Sequence, residues 1–188
     1  MKGFIGLVLF IVFHFTAVPL FAQTITLPAT DSAATATPPA QIQYDLPYPG
    51  ILPDHPLYFL KVARDRLVGF LISDLVKKSE FNLLQSDKKL FAAQMLFDDG
   101  EDELAFETLS KSNNYMHSAI SAANTAQEAD RELGGLKSKI MTSLSKHEDS
   151  IQELLNSDTS GKKQLTSELK RLEEIEVFYF QNFPQKSE

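Results

Sequence analysis

The sequence predicts an all-α fold, an elongated antiparallel bundle of four to five long helices that follows a signal peptide and a disordered linker rich in Pro, Thr and Ala. Two observations predict it. Four of the nine prolines fall within residues 47–56, and the next proline is Pro184. The chain between them is dominated by helix-favouring residues, with apolar side chains at helical spacing. Because proline interrupts a helix interior, a long stretch without it is what long helices require.

The N-terminus has the pattern of a secretory signal peptide over residues 1–22. Lys2 is followed by an uncharged, mostly apolar run over residues 3–22, with Pro19 near its end. We predict cleavage after Ala22. The alternative is an uncleaved anchor, because twenty uncharged residues could just span a bilayer. The chain is therefore expected outside the cytoplasm, either secreted, periplasmic or at the cell surface, or anchored to a membrane by residues 3–22.

Residues 23–50 are predicted to form a flexible linker. Residues 23–43 are rich in Thr, Ala and Pro, carry one charge and show no periodicity, so they cannot bury enough apolar surface to order themselves. The prolines of residues 47–53 keep the chain extended. The helical bundle domain is expected over residues 51–184, with a short tail at residues 185–188.

Composition excludes several classes of protein. The 188 residues carry a formal net charge of −7, and an acidic chain is repelled by phosphate backbones, so we expect no nucleic-acid binding. There is no cysteine, which excludes disulfides, thiolate chemistry and a lipid-modified cysteine. The apolar fraction of 43% is sufficient for a packed core.

The first helix is predicted over residues 56–72. Pro56 suits the first turn because its missing N–H needs no partner there. Apolar residues follow at spacings of three and four, and further apolar residues widen this face, so we expect the helix to be well buried. The predicted inner face consists of Phe59, Val62, Ala63, Leu67 and Phe70, widened by Leu60, Leu71 and Ile72.

The second and third helices are expected to be joined by a tight turn. Ser73 and Asp74 can cap the second helix, which should run to about residue 97 and end at the Asp-Asp-Gly of residues 98–100. Acidic residues at 101–103 favour the positive end of a third helix, which continues to about residue 133. The predicted inner positions are Val76, Leu83, Leu84, Leu90, Phe91 and Phe97, then Leu104, Leu109, Met116, Ile120, Ala123 and Ala126.

The fourth and fifth helices follow a glycine pair, Gly134 and Gly135, which should break or bend the preceding helix. The fourth helix is predicted over about residues 136–155 and the fifth over about residues 162–183, with a loop at residues 156–161 between them. A proline ends the fifth helix. The predicted inner positions are Ile140, Leu144, Ile151, Leu154 and Leu155, then Leu165, Leu169, Leu172, Ile175, Phe178 and Tyr179.

Two stretches of the chain carry a family pattern. The first, ILPDHPLYFLKVARDRL at residues 51–67, enters a helix through Pro-Asp-X-Pro-Leu-Tyr, with His55 in the place of a more usual Ser. The second, KKSEFNLLQSDKKLFAAQML at residues 77–96, contains Asp87, Lys88, Lys89 and Leu90. Both stretches resemble the bacterial domain of unknown function 5667 family.

The resemblance covers roughly residues 52–115, and a weaker match follows in LSKHEDSIQEL at residues 144–154. It implies an exported, all-helical domain with no assigned activity and no catalytic residues. Gln94 stands where the family pattern leads us to expect an acid.

The mature chain contains three histidines, His55, His117 and His147. A helical metal site places Glu or His three or four residues from each ligand on the same face, and neither His117 nor His147 has such a neighbour. We therefore predict surface or boundary histidines, and a metal site assembled between helices is the alternative. His55 and Asp54 are interpreted as a helix entry rather than a site.

Residues 97–103, FDDGEDE, cluster five acids around Gly100. The spacing excludes an EF-hand loop, because its first and twelfth positions would be Met95 and Phe106. We predict a tight turn with solvated acids at residues 98–103, and a weak cation site is the alternative. No nucleophile elbow and no phosphate-binding loop occurs in the sequence, so we expect no enzyme, no catalytic residue, no metal ligand and no cofactor.

The sequence therefore favours a non-catalytic, exported bundle that acts by protein–protein or cell-envelope interaction. The partner and the oligomeric state are left open. The alternative is a bundle that binds a metal ion or small ligand through His117, His147 or the acidic turn. Residues 176–183 carry four aromatic side chains. Core packing is predicted for them, whereas an exposed aromatic edge would indicate a partner surface.

Overall fold

Five α-helices form the regular structure of residues 44–157 and 161–184, which are the residues that the computed structural model describes. No strand occurs in these two segments, and none of their helices is both long and apolar enough to cross a membrane. The all-α bundle predicted from the sequence is confirmed. The helices are α1 Tyr58–Leu71, α2 Leu75–Asp98, α3 Asp102–Glu128, α4 Leu136–Asn156 and α5 Lys162–Asn182.

Part of the sequence interpretation lies outside the described residues. The predicted signal peptide at residues 1–22, the linker up to residue 43 and the tail at residues 185–188 fall there. The last part of the predicted linker, residues 44–50, is described and contacts α2: the Tyr48 ring meets the Phe91 ring edge-on at 6.4 Å between centroids.

Helices α2 and α3 form an antiparallel hairpin. Ser86 and Ser112 each donate a side-chain hydrogen bond to the other's backbone carbonyl, at 2.8 Å. Further along, the Ser79 hydroxyl donates to the Ala119 carbonyl at 2.7 Å. Residue numbers therefore fall along α3 as they rise along α2. Small serine side chains at these buried positions let the two backbones approach closely while their hydroxyl groups remain bonded.

Helices α4 and α5 form a second antiparallel hairpin, which packs against the first. The Tyr179 hydroxyl donates to the Lys137 carbonyl at 3.0 Å, which joins the end of α5 to the start of α4. Between the hairpins, α3 and α5 run parallel, because the residue numbers of their contacts rise along both helices. The Phe106 ring lies beside Gly161, Asn113 donates to the Glu168 carbonyl at 3.1 Å, and the His117 ring stacks on Phe178. The core lies between the four helices α2 to α5.

The inner faces predicted for the second to fifth helices are confirmed at most positions. Leu84 is an exception, because it is exposed on α2. Full burial of each large apolar side chain contributes about 1.5–3 kcal/mol, so these positions supply most of the stability of the bundle. The predicted residues found buried are Leu83, Leu90, Phe97, Leu109, Met116, Ile120, Ala123, Ala126, Ile140, Leu144, Ile151, Leu165, Leu169, Leu172, Ile175 and Tyr179.

The helix ends follow local chemistry. Asp74 caps α2 as predicted, because its carboxylate accepts from the Lys77 N–H at 3.0 Å. Helix α3 ends at Glu128, several residues before the predicted end. The cause is Asp130, which has a φ of 55° and reverses the chain, while the Arg131 N–H returns to the Ala126 carbonyl at 2.9 Å. Asp tolerates this left-handed conformation better than most residues.

The prediction that the first helix is well buried is wrong. Only Gly69 of α1 is buried, and Leu67 of the predicted inner face is 60% exposed. Helical spacing shows that a helix has an apolar side, but it does not show that another element of the chain covers that side.

Candidate functional site

The outer face of α1 is an exposed cluster of large apolar side chains. We define it as Phe59, Leu60, Leu67, Phe70 and Leu71, which are between 54% and 83% exposed. At 100° per residue they fall within a sector of about 120° on the helix. Scattered exposed apolar residues are normal on a soluble protein, but a contiguous cluster of this kind is typical of an interaction site.

The opposite side of α1 contacts α2 through its only buried residue, Gly69. A Cβ atom at Gly69 would lie 3.1 Å from Cε1 of Phe81, so an alanine there would require the Phe81 ring to shift by a few tenths of an ångström. The Gly69 carbonyl accepts a hydrogen bond from the Lys78 ammonium. The C-terminal half of α1 is thus held against α2 by the contact of Gly69 with the Phe81 ring and by the hydrogen bond from Lys78.

The N-terminal half of α1 is held by two lysines. The Lys61 ammonium donates to the carbonyls of Pro49 and Ile51, at 2.7 and 3.0 Å. The Lys89 ammonium of α2 donates to the Tyr58 hydroxyl at 3.2 Å. Partial burial, followed by the repulsion of Lys89, lowers the pKa of Lys61. These contacts orient α1 so that its apolar side faces away from the bundle.

Two arginines flank the outer face of α1. On the same helical wheel, Arg66 lies at one margin and Arg64 at the other, and both are exposed. Asp65 is the only acid of α1. It lies on the inner side, and its Oδ1 accepts from Arg64 at 2.7 and 3.0 Å. Arg64, Arg66 and Asp65 together carry a formal charge of +1, although the whole chain is acidic.

A second candidate is a buried polar cluster centred on Asp87 of α2. Oδ1 of Asp87 accepts from the Ser143 hydroxyl at 2.5 Å and lies 3.1 Å from Nε2 of His147, both on α4. Oδ2 accepts from the Tyr44 hydroxyl at 2.6 Å. The carboxylate thus joins α2, α4 and the chain segment that precedes α1. Asp87, Ser143 and His147 are all buried.

The electrostatics of this cluster favour an ionised Asp87. Burial alone would raise its pKa, but the hydrogen bonds from His147, Ser143 and Tyr44, together with the charge of the imidazole, bring the net pKa below its ordinary value. Burial and the neighbouring carboxylate raise the pKa of Tyr44 in turn. Hydrogen bonds to an ionised group are roughly twice as strong as neutral ones, so the cluster is a strong link between its three segments.

The geometry of the cluster differs from that of a catalytic triad. In a triad the serine hydroxyl bonds to the histidine, which bonds to the acid. Here Ser143 and His147 bond to the same oxygen of Asp87. Nδ1 of His147 and the hydroxyl of Ser150 are buried and have no hydrogen-bond partner among the described residues. The cluster can join helices, but it does not pair a nucleophile with a base.

The histidines named in the sequence analysis occupy three different environments. His147 is fully buried, so the prediction of a surface or boundary position is wrong for it. His117 is exposed, and its ring stacks on Phe178 at 4.7 Å between centroids. His55 accepts from the Leu57 N–H at 3.1 Å, just before α1. The structure does not bring any two of them together.

His117 lines an open groove between α3 and α5. The groove has a volume of about 490 Å³, within the range of small-ligand sites. Its polar lining includes Asn114, Arg171 and Glu174, and Phe178 forms one wall. Arg171 is already engaged, because it donates to Ser110 and Asn114.

The acidic turn at residues 98–103 closes the α2–α3 hairpin. Gly100 has a φ of 78°, and the Glu101 N–H donates to the Leu96 carbonyl at 2.8 Å. The described residues contain no group of three or more His, Asp or Glu side chains arranged to hold a metal ion.

The aromatic residues near the C-terminus are divided between core and surface. Tyr179 and Phe183 are buried and 5.1 Å apart between ring centroids, whereas Phe180 is exposed. Phe178 is partly buried beneath His117. The prediction of core packing is thus correct for Tyr179 and Phe183, whereas Phe180 faces solvent.

The outer face of α1 and the buried pair of Asp87 and His147 both lie within the range matched by a known protein family. No curated protein and no solved structure matches the chain significantly. The family model described as Domain of unknown function (DUF5667) matches residues 50–176. This range includes α1 and its outer face, together with Asp87 and His147. Because the model covers more than half of the 188 residues, the chain belongs to the DUF5667 family.

Proposed function

We propose that the chain is an exported, non-catalytic helical-bundle module that binds a protein or another component of the cell envelope. The outer face of α1 is the observation that carries this proposal. In the proposed arrangement, α2 to α5 form a rigid support, and α1 presents the binding surface. An exposed apolar helix face lowers solubility, and such faces on soluble proteins commonly mark interaction sites. This supports a binding role for α1.

The way α1 is attached supports the proposal. Its inner side makes specific polar contacts through Lys61, Lys78 and Lys89, so the helix is positioned by its neighbours. The large apolar residues take no part in this attachment. A helix whose only purpose was to extend the core would place such residues on the inner side.

The uncharged run at residues 3–22 supports the choice of compartment, because its pattern is that of a signal peptide or a membrane anchor. Either role would direct the bundle across the cytoplasmic membrane or tether it there. We therefore expect the binding partner to be an envelope component rather than a cytoplasmic one.

Hydrogen–deuterium exchange of the full chain, with and without a purified cell-envelope fraction, tests the proposal. Backbone amides of α1 should exchange faster in the free chain than those of the buried helices α2 and α3, because fewer apolar contacts protect this helix. Addition of envelopes should slow exchange in α1 and leave the exposed ends of α4 and α5 unchanged. Unchanged exchange in α1 would contradict the proposed function.

The groove beside His117 favours a second candidate function, the binding of a small ligand or metal ion between α3 and α5. The groove offers one imidazole and one carboxylate, those of His117 and Glu174, so Zn²⁺ is the first probe. A ligand that binds only the folded state raises the melting temperature. An increase with millimolar Zn²⁺ that is lost in His117→Ala would support this alternative, and an unchanged melting temperature would exclude it for this metal.

A further inference from the structure

We propose that the outer face of α1 binds the surface of an anionic lipid bilayer, with α1 lying parallel to the membrane. This inference rests on the proposed function and names the envelope component. Helix α1 has 14 residues, too few to cross a bilayer, and an amphipathic helix of this kind can instead enter the interfacial region with its apolar side.

The side chains of the outer face suit the boundary between lipid headgroups and acyl chains. Phe59 and Phe70 provide large aromatic side chains, and Leu60, Leu67 and Leu71 fill the sector beside them. Aromatic and leucine side chains on one helix face are the usual apolar component of interfacial helices.

The margins of the outer face provide the charge complementarity. Arg66 lies on one side and Arg64 on the other, where Arg64 forms an ion pair with Asp65 at 2.7 Å. Arginine side chains at the margins of an apolar strip can extend their guanidinium groups to lipid phosphates while their stems rest on apolar surface. The basic surface is local, since the formal net charge of the whole chain is −7. A basic local surface is expected for a site that faces anionic lipid.

The same charges argue against a second copy of the chain as the occupant. In a face-to-face pair of α1 helices, each margin of one helix would meet a margin of the other. Because Arg64 and Arg66 occupy both margins, arginines would face arginines in either a parallel or an antiparallel pair. Like charges at such positions are destabilising, whereas lipid phosphates neutralise them.

A single tryptophan on α1 can test this inference in the full chain, which contains no tryptophan of its own. Phe70→Trp places the probe at the most exposed position of the outer face, and Leu84→Trp places a matched probe at an exposed apolar position of α2. Because each probe reports only its own surroundings, insertion of residues 3–22 into a vesicle does not by itself produce a signal at α1.

With phosphatidylglycerol vesicles, fluorescence of the Phe70→Trp chain should shift to the blue and be quenched by brominated acyl chains. The Leu84→Trp chain should show neither effect. Phosphatidylcholine vesicles should bind α1 much more weakly. In the Phe70→Trp chain, Arg66→Gln should weaken apparent vesicle affinity about fivefold, and Arg64→Gln should weaken it less because Asp65 already offsets the Arg64 charge. Added salt should weaken the affinity further.

Four results would overturn the inference. These are no quenching of Phe70→Trp by phosphatidylglycerol vesicles, equal quenching by neutral vesicles, equal quenching of Leu84→Trp, or a blue shift before vesicles are added that grows with protein concentration. The last result would assign the face to a second copy. If vesicles do not quench Phe70→Trp but envelopes still slow exchange in α1, the proposed function survives and a protein partner replaces the lipid. If envelopes also have no effect on α1, both proposals fail.

Discussion

Removal of the Asp87 side chain should destabilise the bundle more than a typical substitution on its surface. Asp87 is buried and accepts hydrogen bonds from Tyr44, Ser143 and His147. Asp87→Ala removes the acceptor for all three groups. Asp87→Asn is the matched control, because it keeps the shape and one carbonyl oxygen but removes the negative charge.

The expected loss of unfolding free energy depends on whether each hydrogen-bond donor to Asp87 can find another acceptor. Tyr44 is only partly buried and can turn to water. Ser143 and His147 are fully buried, and each unsatisfied group costs about 1–3 kcal/mol. Asp87→Ala should therefore reduce the free energy of unfolding by about 2–6 kcal/mol, the sum for these two groups. Asp87→Asn should reduce it by about 1–2 kcal/mol, since neutral hydrogen bonds are about half as strong.

The pH dependence separates the charge from the shape. The folded chain lowers the pKa of Asp87 relative to its ordinary value, so the fold favours the ionised carboxylate. This contribution is fully present above the unfolded pKa of about 3.9 and is lost as the pH falls through the folded pKa. The stability difference between the native chain and Asp87→Asn should therefore be largest near neutral pH and should shrink below about pH 4.

Urea unfolding monitored by far-ultraviolet circular dichroism gives both quantities. The native chain and the two variants are compared at neutral pH and at several acidic values, with the slope and the midpoint fitted separately. A loss below about 1 kcal/mol for Asp87→Ala would refute the claim that the carboxylate satisfies two buried groups. A difference between the native chain and Asp87→Asn that does not change with pH would refute an ionised Asp87.

Two matched pairs test the rest of the packing by the same unfolding measurement. Leu90→Ala should cost about 2–5 kcal/mol because Leu90 is completely buried, whereas Leu67→Ala should cost less than about 0.5 kcal/mol because Leu67 is 60% exposed; equal losses would contradict the assigned position of α1. Gly100 and Gly161 share a φ of 78°, but only a Cβ at Gly161 would meet another side chain, 2.4 Å from Cζ of Phe106. Gly161→Ala should therefore cost about 1–3 kcal/mol more than Gly100→Ala, and similar losses would show that the Phe106 ring moves aside freely.

The helices of the bundle could be predicted because local sequence determines them. Asp74 caps α2 through its own neighbour, Lys77, and both residues are visible in the sequence. The absence of proline and the spacing of apolar residues locate α2 to α5 within a few residues. The end of α3 was missed because Asp130 adopts a left-handed conformation, for which an Asp residue is only a weak signal.

The environment of α1 and the Asp87 cluster could not be predicted in the same way. Periodicity places Leu67 on an apolar side, but burial depends on which helix packs there. Asp87 and His147 are 60 residues apart, so an inspection of positions three and four residues from each histidine cannot detect the pair. Tyr44 belongs to a segment whose composition is typical of a linker, although its hydroxyl reaches the core of the cluster.

Helix α2 connects the two candidate features. Its Lys78, Phe81 and Lys89 side chains hold α1 from one direction, while Asp87 joins α2 to α4 from another. An isolated amphipathic helix of 14 residues would be only marginally helical in water, so it would have to order itself on every binding event. By holding α1 in helical form with its apolar side outward, the bundle removes that entropy cost before the partner arrives. A support of four helices is therefore consistent with a small binding surface whose affinity depends on α1 being helical before it binds.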